Sequence, residues 1–316
     1  MMCVGVAVES WAGTGFTRMD AAGAGIGFAG RVDKESIRSH VTLISSGVAA
    51  GDVDGDGRVD LYFCSLDGTN ALYRNEGNWR FRDATADAGL LESDRASIGA
   101  AFADVDGDGD LDLLTTARGG PNRLYRNDGA GRVTEDAVFA GRHSTRGSST
   151  LALADIDADG DLDIYVCNYR AKAFGDDHLL SVRQPLLDQN LARLKDGREP
   201  EPEFARTFYK SGGTFQERGD EDVLLLNDGR GGFTSAWADR FTLPTGAPPP
   251  GPLDGWGLCA QFRDVDLDGD PDLYVCNDFH TPDRFWIKDG HGHFSLLPAQ
   301  ARGPTRQYCV AGDVRD

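Results

Sequence analysis

Residues Asp52 to Asp60 read DVDGDGRVD, and the same nine-residue pattern returns three times. It is DVDGDGDLD from Asp104, DIDADGDLD from Asp155 and DVDLDGDPD from Asp264. The shared form is D-x-D-x-D-G-x-x-D, and a short apolar run follows each copy: LYFCS, LLTTA, IYVCN and LYVCN. Carboxylates at alternate positions around an obligatory glycine describe an oxygen-lined loop. The apolar run describes a strand leaving it. Each copy therefore reads as a cation loop between two β-strands, with the rest of the chain as its scaffold.

The spacing of the copies sets the architecture. The first three begin at 52, 104 and 155, a period of about 51 residues. A second motif follows each loop: ALYRNEGNWRFRDAT from Ala71, RLYRNDGAGRVTEDA from Arg123, VLLLNDGRGGFTSAW from Val223 and RFWIKDGHGHFSLLP from Arg284. Strand, N-D-G-type turn and strand make the strongest short-range hairpin signal. With a strand entering each loop (GVAAG, GAAFA, LALA, LCAQFR), every unit has four short strands. Four strands every ~50 residues is the pattern of a β-propeller blade. The expected fold is all-β, a single propeller domain over 1–316 with blades at about 46–90, 98–140, 149–240 and 256–300.

Three pieces stand outside that pattern. The third unit carries an insertion at about 169–219, in which LLSVRQPLLDQNLARLKDG from Leu179 has helical spacing and SGG suggests a short hairpin. GFTRMDAAGAGI from Gly15 repeats the outer-strand segment WRFRDATADAGLL, so an outer strand is expected at about 14–27. CVAGDVRD from Cys309 echoes GVAAGDVDGD, a partial fifth repeat at 307–316 with a broken loop at Asp313. Four blades, one orphan strand and one begun repeat imply part of a larger ring of about seven blades.

The loops themselves point to Ca2+, a hard ion that takes six to eight oxygens in a flexible shell. The expected ligands are Asp52, Asp54, Asp56, Arg58 (through its carbonyl) and Asp60. In the other copies they are Asp104, Asp106, Asp108, Asp110 and Asp112; Asp155, Asp157, Asp159, Asp161 and Asp163; and Asp264, Asp266, Asp268, Asp270 and Asp272. The seventh position serves by its backbone, so its side chain is free to vary, and it does. Gly57, Gly109, Gly160 and Gly269 supply the positive φ of a sharp turn. Apolar residues at the second and eighth positions are expected to anchor each loop in the core. An acidic solvated turn would explain one copy; four copies of one Asp grid favour about four ions. An EF-hand needs an acid at position twelve, where Phe63, Thr115, Val166 and Val275 stand here. Dockerin-like loops fail at the same place, nine-residue RTX repeats have the wrong period, and Mg2+ prefers a stricter shell with fewer carboxylates.

Composition agrees. The formal net charge is -19, with much of the excess in these loops, which disfavours nucleic acid as a partner. No run is long enough to span a membrane, and the N-terminus lacks the basic region of a signal peptide. The six cysteines include no C-x-x-C pair, so zinc and redox motifs are weak. Cys64, Cys167 and Cys276 share one strand position, read as small and buried, and Cys259 and Cys276 are placed to face each other across a hairpin.

GVAAGDVDGDGRVDLYF, FADVDGDGDLDLL and FRDVDLDGDPDLYVCNDF resemble the FG-GAP/VCBS repeat family, which includes the integrin α-subunit head. NRLYRNDG and NDFHTPDRFWIKDG are similar, more narrowly, to bacterial cartilage-acidic-protein-like proteins associated with an ASPIC/UnbV domain, although no such segment is visible. The resemblance implies a seven-bladed propeller with Ca2+ in its blade loops. It also implies a secreted, periplasmic or cell-surface location and a protein or glycan ligand.

Two functions remain. One is a non-catalytic binding or adhesion module held by structural Ca2+. The other is a propeller enzyme, such as a polysaccharide lyase or phosphodiesterase, with its site opposite the loops or in the insertion. The candidates there are Asn168, Tyr169, Arg170 and His178, then Asn277, Asp278, His280 and Asp283. Asn and Asp at strand ends also simply make turns, and no nucleophile, zincin or phosphate-loop motif is present. The pattern favours the module. Trp256, Trp286, Phe285, Tyr125 and Tyr73 read as packing between blades, and His291 and His293 as solvent-facing turn residues.

Overall fold

The computed structural model describes residues 17–31, 47–91, 96–142, 146–170, 177–202, 204, 208–211, 214–236, 240–249, 255–278 and 281–298. They form four antiparallel sheets in chain order. The first contains β1 (Val48–Gly51), β2 (Asp60–Phe63), β3 (Ala71–Asn75) and β4 (Phe81–Asp83). The second contains β5 (Ser97–Ala103), β6 (Asp112–Ala117), β7 (Arg123–Asn127) and β8 (Val133–Glu135), followed by the short helix α1 (Ala137–Arg142). In the third, β9 (Ser148–Ala154) and β10 (Asp163–Asn168) are separated in sequence from β13 (Val223–Asn227) and β14 (Phe233–Ser235). Between them come α2 (Asp177–Lys195) and a separate hairpin, β11 (Phe208–Ser211) and β12 (Thr214–Glu217). In space β10 still pairs with β13, so the insertion leaves the sheet intact.

The fourth sheet has five strands. β15 (Phe241–Thr242) runs parallel to β19 (Phe294–Leu296), outside the meander of β16 (Gly257–Arg263), β17 (Asp272–Asn277) and β18 (Arg284–Lys288). The sequence gives no signal for β15, which is two residues long and comes from the connection after the third sheet. The described part of the Pro-rich stretch beyond it forms no strand and is exposed at 244–248.

Alternation of side chains along each strand gives every sheet two faces, and both are used where a neighbour stands on each side. Tyr62 of β2 and Cys64 just after it pack with Leu113 and Tyr125 of the second sheet. Leu114 and Leu124 pack with Ile164, Val166 and Leu225 of the third. Tyr165, Cys167 and Leu224 pack with Leu273, Val275 and Trp286 of the fourth. Burying one such side chain contributes about 1.5–3 kcal/mol, so these three interfaces are the core. The first strands β1, β5, β9 and β16 stand beside one another in turn.

The shared cysteine position is buried: Cys64, Cys167 and Cys276 are fully enclosed, and Thr116 fills the place in the second sheet. Burial pushes the Cys64 thiol up to about 12, so it is no nucleophile. Cys259 and Cys276 lie directly opposite in register, and both are free thiols.

The expected outer strand at 14–27 is corrected over its described part. Residues 21–25 form a turn, closed by Ala24 N–H to the Asp20 carbonyl and Ile26 N–H to the Ala21 carbonyl. These local bonds replace a strand ladder. Ala24 instead offers its carbonyl to Phe81 N–H on β4, as Ala88 does to Val133 N–H on β8. The segment caps the edge of the first sheet. The partial repeat at 307–316 lies outside the described residues, as do Cys3, Cys309, His143 and His280, whereas His178 falls within α2.

Candidate metal centres

Each D-x-D-x-D-G-x-x-D loop joins the first and second strands of a sheet. The pairs that close them are Gly51 with Asp60, Ala103 with Asp112, Ala154 with Asp163 and Arg263 with Asp272. The ninth residue is therefore the first residue of a strand. The sixth-position glycines have φ of 84°, 95°, 97° and 98°, the left-handed region in which a Cβ is costly.

The acidic positions of a loop do different work. The first-position carboxylate wraps the loop: Asp52 accepts Asp56 N–H at 3.0 Å and Gly57 N–H at 2.7 Å. Asp155 and Asp264 accept equivalent pairs, whereas Asp104 accepts Gly107 N–H and Gly109 N–H. The fifth-position residue accepts the N–H two residues on, as Asp108 does from Asp110 at 3.0 Å. The ninth is a strap. Asp163 takes Ile156 N–H on one oxygen and Asn227 N–H on the other, both at 2.8 Å, which ties the loop to β13. Asp60 and Asp272 do the same. All four ninth-position residues are almost fully buried. Burial pushes the carboxyls of Asp60 and Asp112 upward, and that of Asp163 to about 6, against the pull of the backbone N–H groups.

The third position differs. Asp54 Oδ1, Asp106 Oδ1 and Asp157 Oδ1 are buried, and none has a hydrogen-bond partner. A buried carboxylate oxygen without a donor is costly. It recurs at one atom of three loops, and an oxygen so placed is free to ligate a cation. Carboxylate oxygens of Asp52, Asp54 and Asp60 lie within 4.8 Å of one another, as do those of Asp155, Asp157 and Asp163, and of Asp264, Asp266 and Asp272. In the second loop the cluster is Asp104, Asp106 and Asp108. Hard oxygens only, with an orphaned oxygen inside, fit Ca2+ chemistry.

The remaining expected ligands are placed unevenly. Asp56, Asp159 and Asp268 lie outside these clusters. The seventh-position side chains also lie outside them: those of Asp110 and Asp161 sit where a Cβ on the turn glycines Gly129 and Gly229 would fall. Arg58 hydrogen-bonds the Asp56 carboxylate and the Asn75 carbonyl. The second-position anchors Val53, Val105 and Ile156 are buried as expected, whereas Val265 is exposed. Among the described residues no further sheet follows on that side of the fourth. The eighth-position Val59 is 53% exposed and anchors nothing.

The fourth position was missed. Gly55, Gly107, Ala158 and Leu267 all have positive φ, between 62° and 75°. Glycine in the first two copies was the available signal.

At the opposite end of the sheets a second repeated position emerges. Asn70, Asn122, Asp222 and Asp283 precede the third strands and accept the N–H groups of Ser65, Ala117, Asn168 and Asn277. Asp222 and Asp283 also take the hydroxyls of Tyr165 and Tyr274. Asn168, Asn277 and Asp283 are thus buried members of a turn frame. Tyr169 donates to Asp278 at 3.0 Å and packs edge-on against Trp256, over which Arg170 lies. His291 and His293 are exposed in a turn.

With this geometry in view, the family of FG-GAP-like repeats matches residues 52–115 and 104–166, so the chain carries FG-GAP-like repeats. Over 160 residues, 50% of this chain, the sequence is 30% identical to cartilage acidic protein 1 of Mus musculus and 29% identical to that of Homo sapiens. The match covers 25% and 24% of those proteins, so it spans about a quarter of their length. Among solved structures, the V. cholerae biofilm matrix protein Bap1 aligns with 79% of this chain and 38% of its own, at 16% identity and a TM-score of 0.29.

Proposed function

We propose that this chain of FG-GAP-like repeats is an extracellular binding module whose sheets are consecutive blades of a β-propeller, held by Ca2+ in its four Asp loops. The observation that carries the reading is the buried, partnerless Oδ1 of Asp54, Asp106 and Asp157. In each loop the first- and third-position carboxylates would hold the ion, joined by the ninth in the first, third and fourth loops and by Asp108 in the second. The backbone carbonyls of Arg58, Asp110, Asp161 and Asp270 would complete the shell. The ion would neutralise the crowded carboxylates and add its binding free energy to folding. A protein or glycan is the proposed ligand class, in keeping with the repeat family and with relatives named for cartilage. Among the described residues no helix is long and apolar enough to cross a membrane.

The test is a calcium titration of chelator-stripped protein by calorimetry, with melting followed in parallel. About four ions should bind, and chelator should lower the melting temperature reversibly. An unchanged melt with no heat of binding would overturn the proposal.

A further inference from the structure

Three arginines stand between the loops and the neighbouring sheets. Arg74 on β3 places Nη1 3.4 Å from Asp54 Oδ2, while its Nη2 donates to the Ala130 carbonyl in the β7–β8 turn of the next sheet. Arg126 on β7 places Nη1 3.2 Å from both Asp106 Oδ2 and Asp112 Oδ2, and its Nη2 donates at 2.8 Å to the Gly231 carbonyl in the β13–β14 turn. Arg240 places Nη2 3.5 Å from Asp157 Oδ2, and its Nη1 donates at 3.4 Å to the Gly292 carbonyl in the β18–β19 turn. In every case one guanidinium joins the third-position carboxylate of a loop to the hairpin turn of the following sheet.

The third link is the informative one. The strand position held by Arg74 and Arg126 is Leu226 in the third sheet. Arg240 enters from the connection after β14 and makes the same two contacts. One contact rebuilt from a different sequence position is not a by-product of strand repetition. The receiving turns are shaped for it. A Cβ on Gly131, Gly231 or Gly292 would collide with the incoming guanidinium. The first sheet's own turn, which receives no such arginine among the described residues, has Trp79 at that position.

We propose that Arg74, Arg126 and Arg240 are positioning residues that couple cation binding in a loop to docking of the next sheet. The inference rests on the calcium reading above. Each third-position carboxylate has two sides: Oδ1 is buried and free for an ion, and Oδ2 holds the arginine. An ion on Oδ1 fixes the carboxylate, which fixes the guanidinium, which orders the neighbouring turn. Partners outside a ligand sphere orient the ligands in this way. The coupling is reciprocal, so a docked neighbour tightens binding in the loop. The fourth loop is wired differently. Lys288 Nζ lies 2.7 Å from Asp270, and among the described residues no guanidinium pairs with Asp266.

Hydrogen–deuterium exchange on the whole chain, with chelator and with saturating Ca2+, tests the coupling. In the unaltered protein Ca2+ should slow exchange in loop 104–112 and also in turn 228–232, the latter by about tenfold. In Arg126→Met the loop should still respond, and the turn response should fall below about twofold. Arg240→Met, outside any strand, should silence turn 288–292 and leave turn 228–232 responsive; it carries the test if Arg126→Met fails to fold. A turn that responds fully without its arginine overturns the coupling. So does a turn that ignores Ca2+ in the unaltered protein while its loop responds. If no loop responds, the calcium reading itself falls.

Discussion

Asp157 and Asp163 belong to one loop and should behave oppositely when each is replaced by alanine. Asp163 accepts two buried backbone N–H groups, from Ile156 and Asn227, at 2.8 Å. Its removal leaves both without an acceptor, at about 1–3 kcal/mol each. Burial already disfavours the ionised form, holding the carboxyl up to about 6, and this offsets part of the loss. The expected cost at pH 7 is about 2–4 kcal/mol in chelator, and in Ca2+ the loss of a ligand adds to it. Asp157 has one orphaned oxygen and one half-buried contact, 3.5 Å from Arg240. Such a pair contributes about 0–1 kcal/mol, and desolvation and neighbouring carboxylates push the Asp157 carboxyl upward. In chelator, Asp157→Ala should therefore cost less than about 1 kcal/mol. In Ca2+ it should forfeit the increment from that loop, about 2.7 kcal/mol when free ion is a hundredfold above Kd. Urea unfolding of both variants, with chelator and with excess Ca2+, provides the four numbers. If Asp157→Ala costs as much as Asp163→Ala in chelator, the third position is structural. If the cost of Asp163→Ala disappears in chelator, the ninth position is a ligand alone and not a strap as well.

Leu267 is 83% exposed and sits at φ 65°, where the first two loops have glycine. A left-handed non-glycine residue costs roughly 1–2 kcal/mol, and glycine's larger unfolded-state entropy returns about 0.5–1. Leu267→Gly should thus stabilise by about 0.5–1 kcal/mol in chemical unfolding, and a destabilised variant would refute the strain. Asp222 is fully enclosed and burial pushes its carboxyl to about 7. Because this folded value exceeds the ordinary carboxylate value, the stability it contributes is present at low pH and lost as pH rises through 7. Asp222→Asn puts there the residue that Asn70 and Asn122 already represent. Between pH 5 and pH 8, in chelator, the unaltered protein should lose melting temperature relative to the variant; parallel curves would refute the assignment.

The legible parts of this chain share one property: a single residue type with a single physical reason. Glycine at the sixth loop position means positive φ, and all four copies obey. The turn motifs name the hairpins, and the register of β3 with β4 and of β7 with β8 follows from them. What stayed hidden has two reasons to be what it is. An aspartate that straps two N–H groups and one whose Oδ1 has no donor are the same letter, so the ninth and third positions looked alike. Ala158 and Leu267 conceal the positive φ that Gly55 and Gly107 announce. Arg240 is silent because its contact left the repeat register, and β15 because two residues carry no period.

That division of labour also bears on what a cation would do. Of the loop carboxylates, the first, fifth and ninth already accept backbone N–H groups, so much of each loop's conformation is specified without an ion. Only the third-position Oδ1 is left wanting, in three loops of four. A domain built this way differs from a small metal fold that is unfolded without its ion. The sheets have three apolar interfaces of their own. Removing the cation should loosen the joints between them before it unfolds them. On the calcium reading the loops would act less as the foundation of the fold than as fasteners along one end of it, and the arginines would be the means by which each fastener reaches the next sheet.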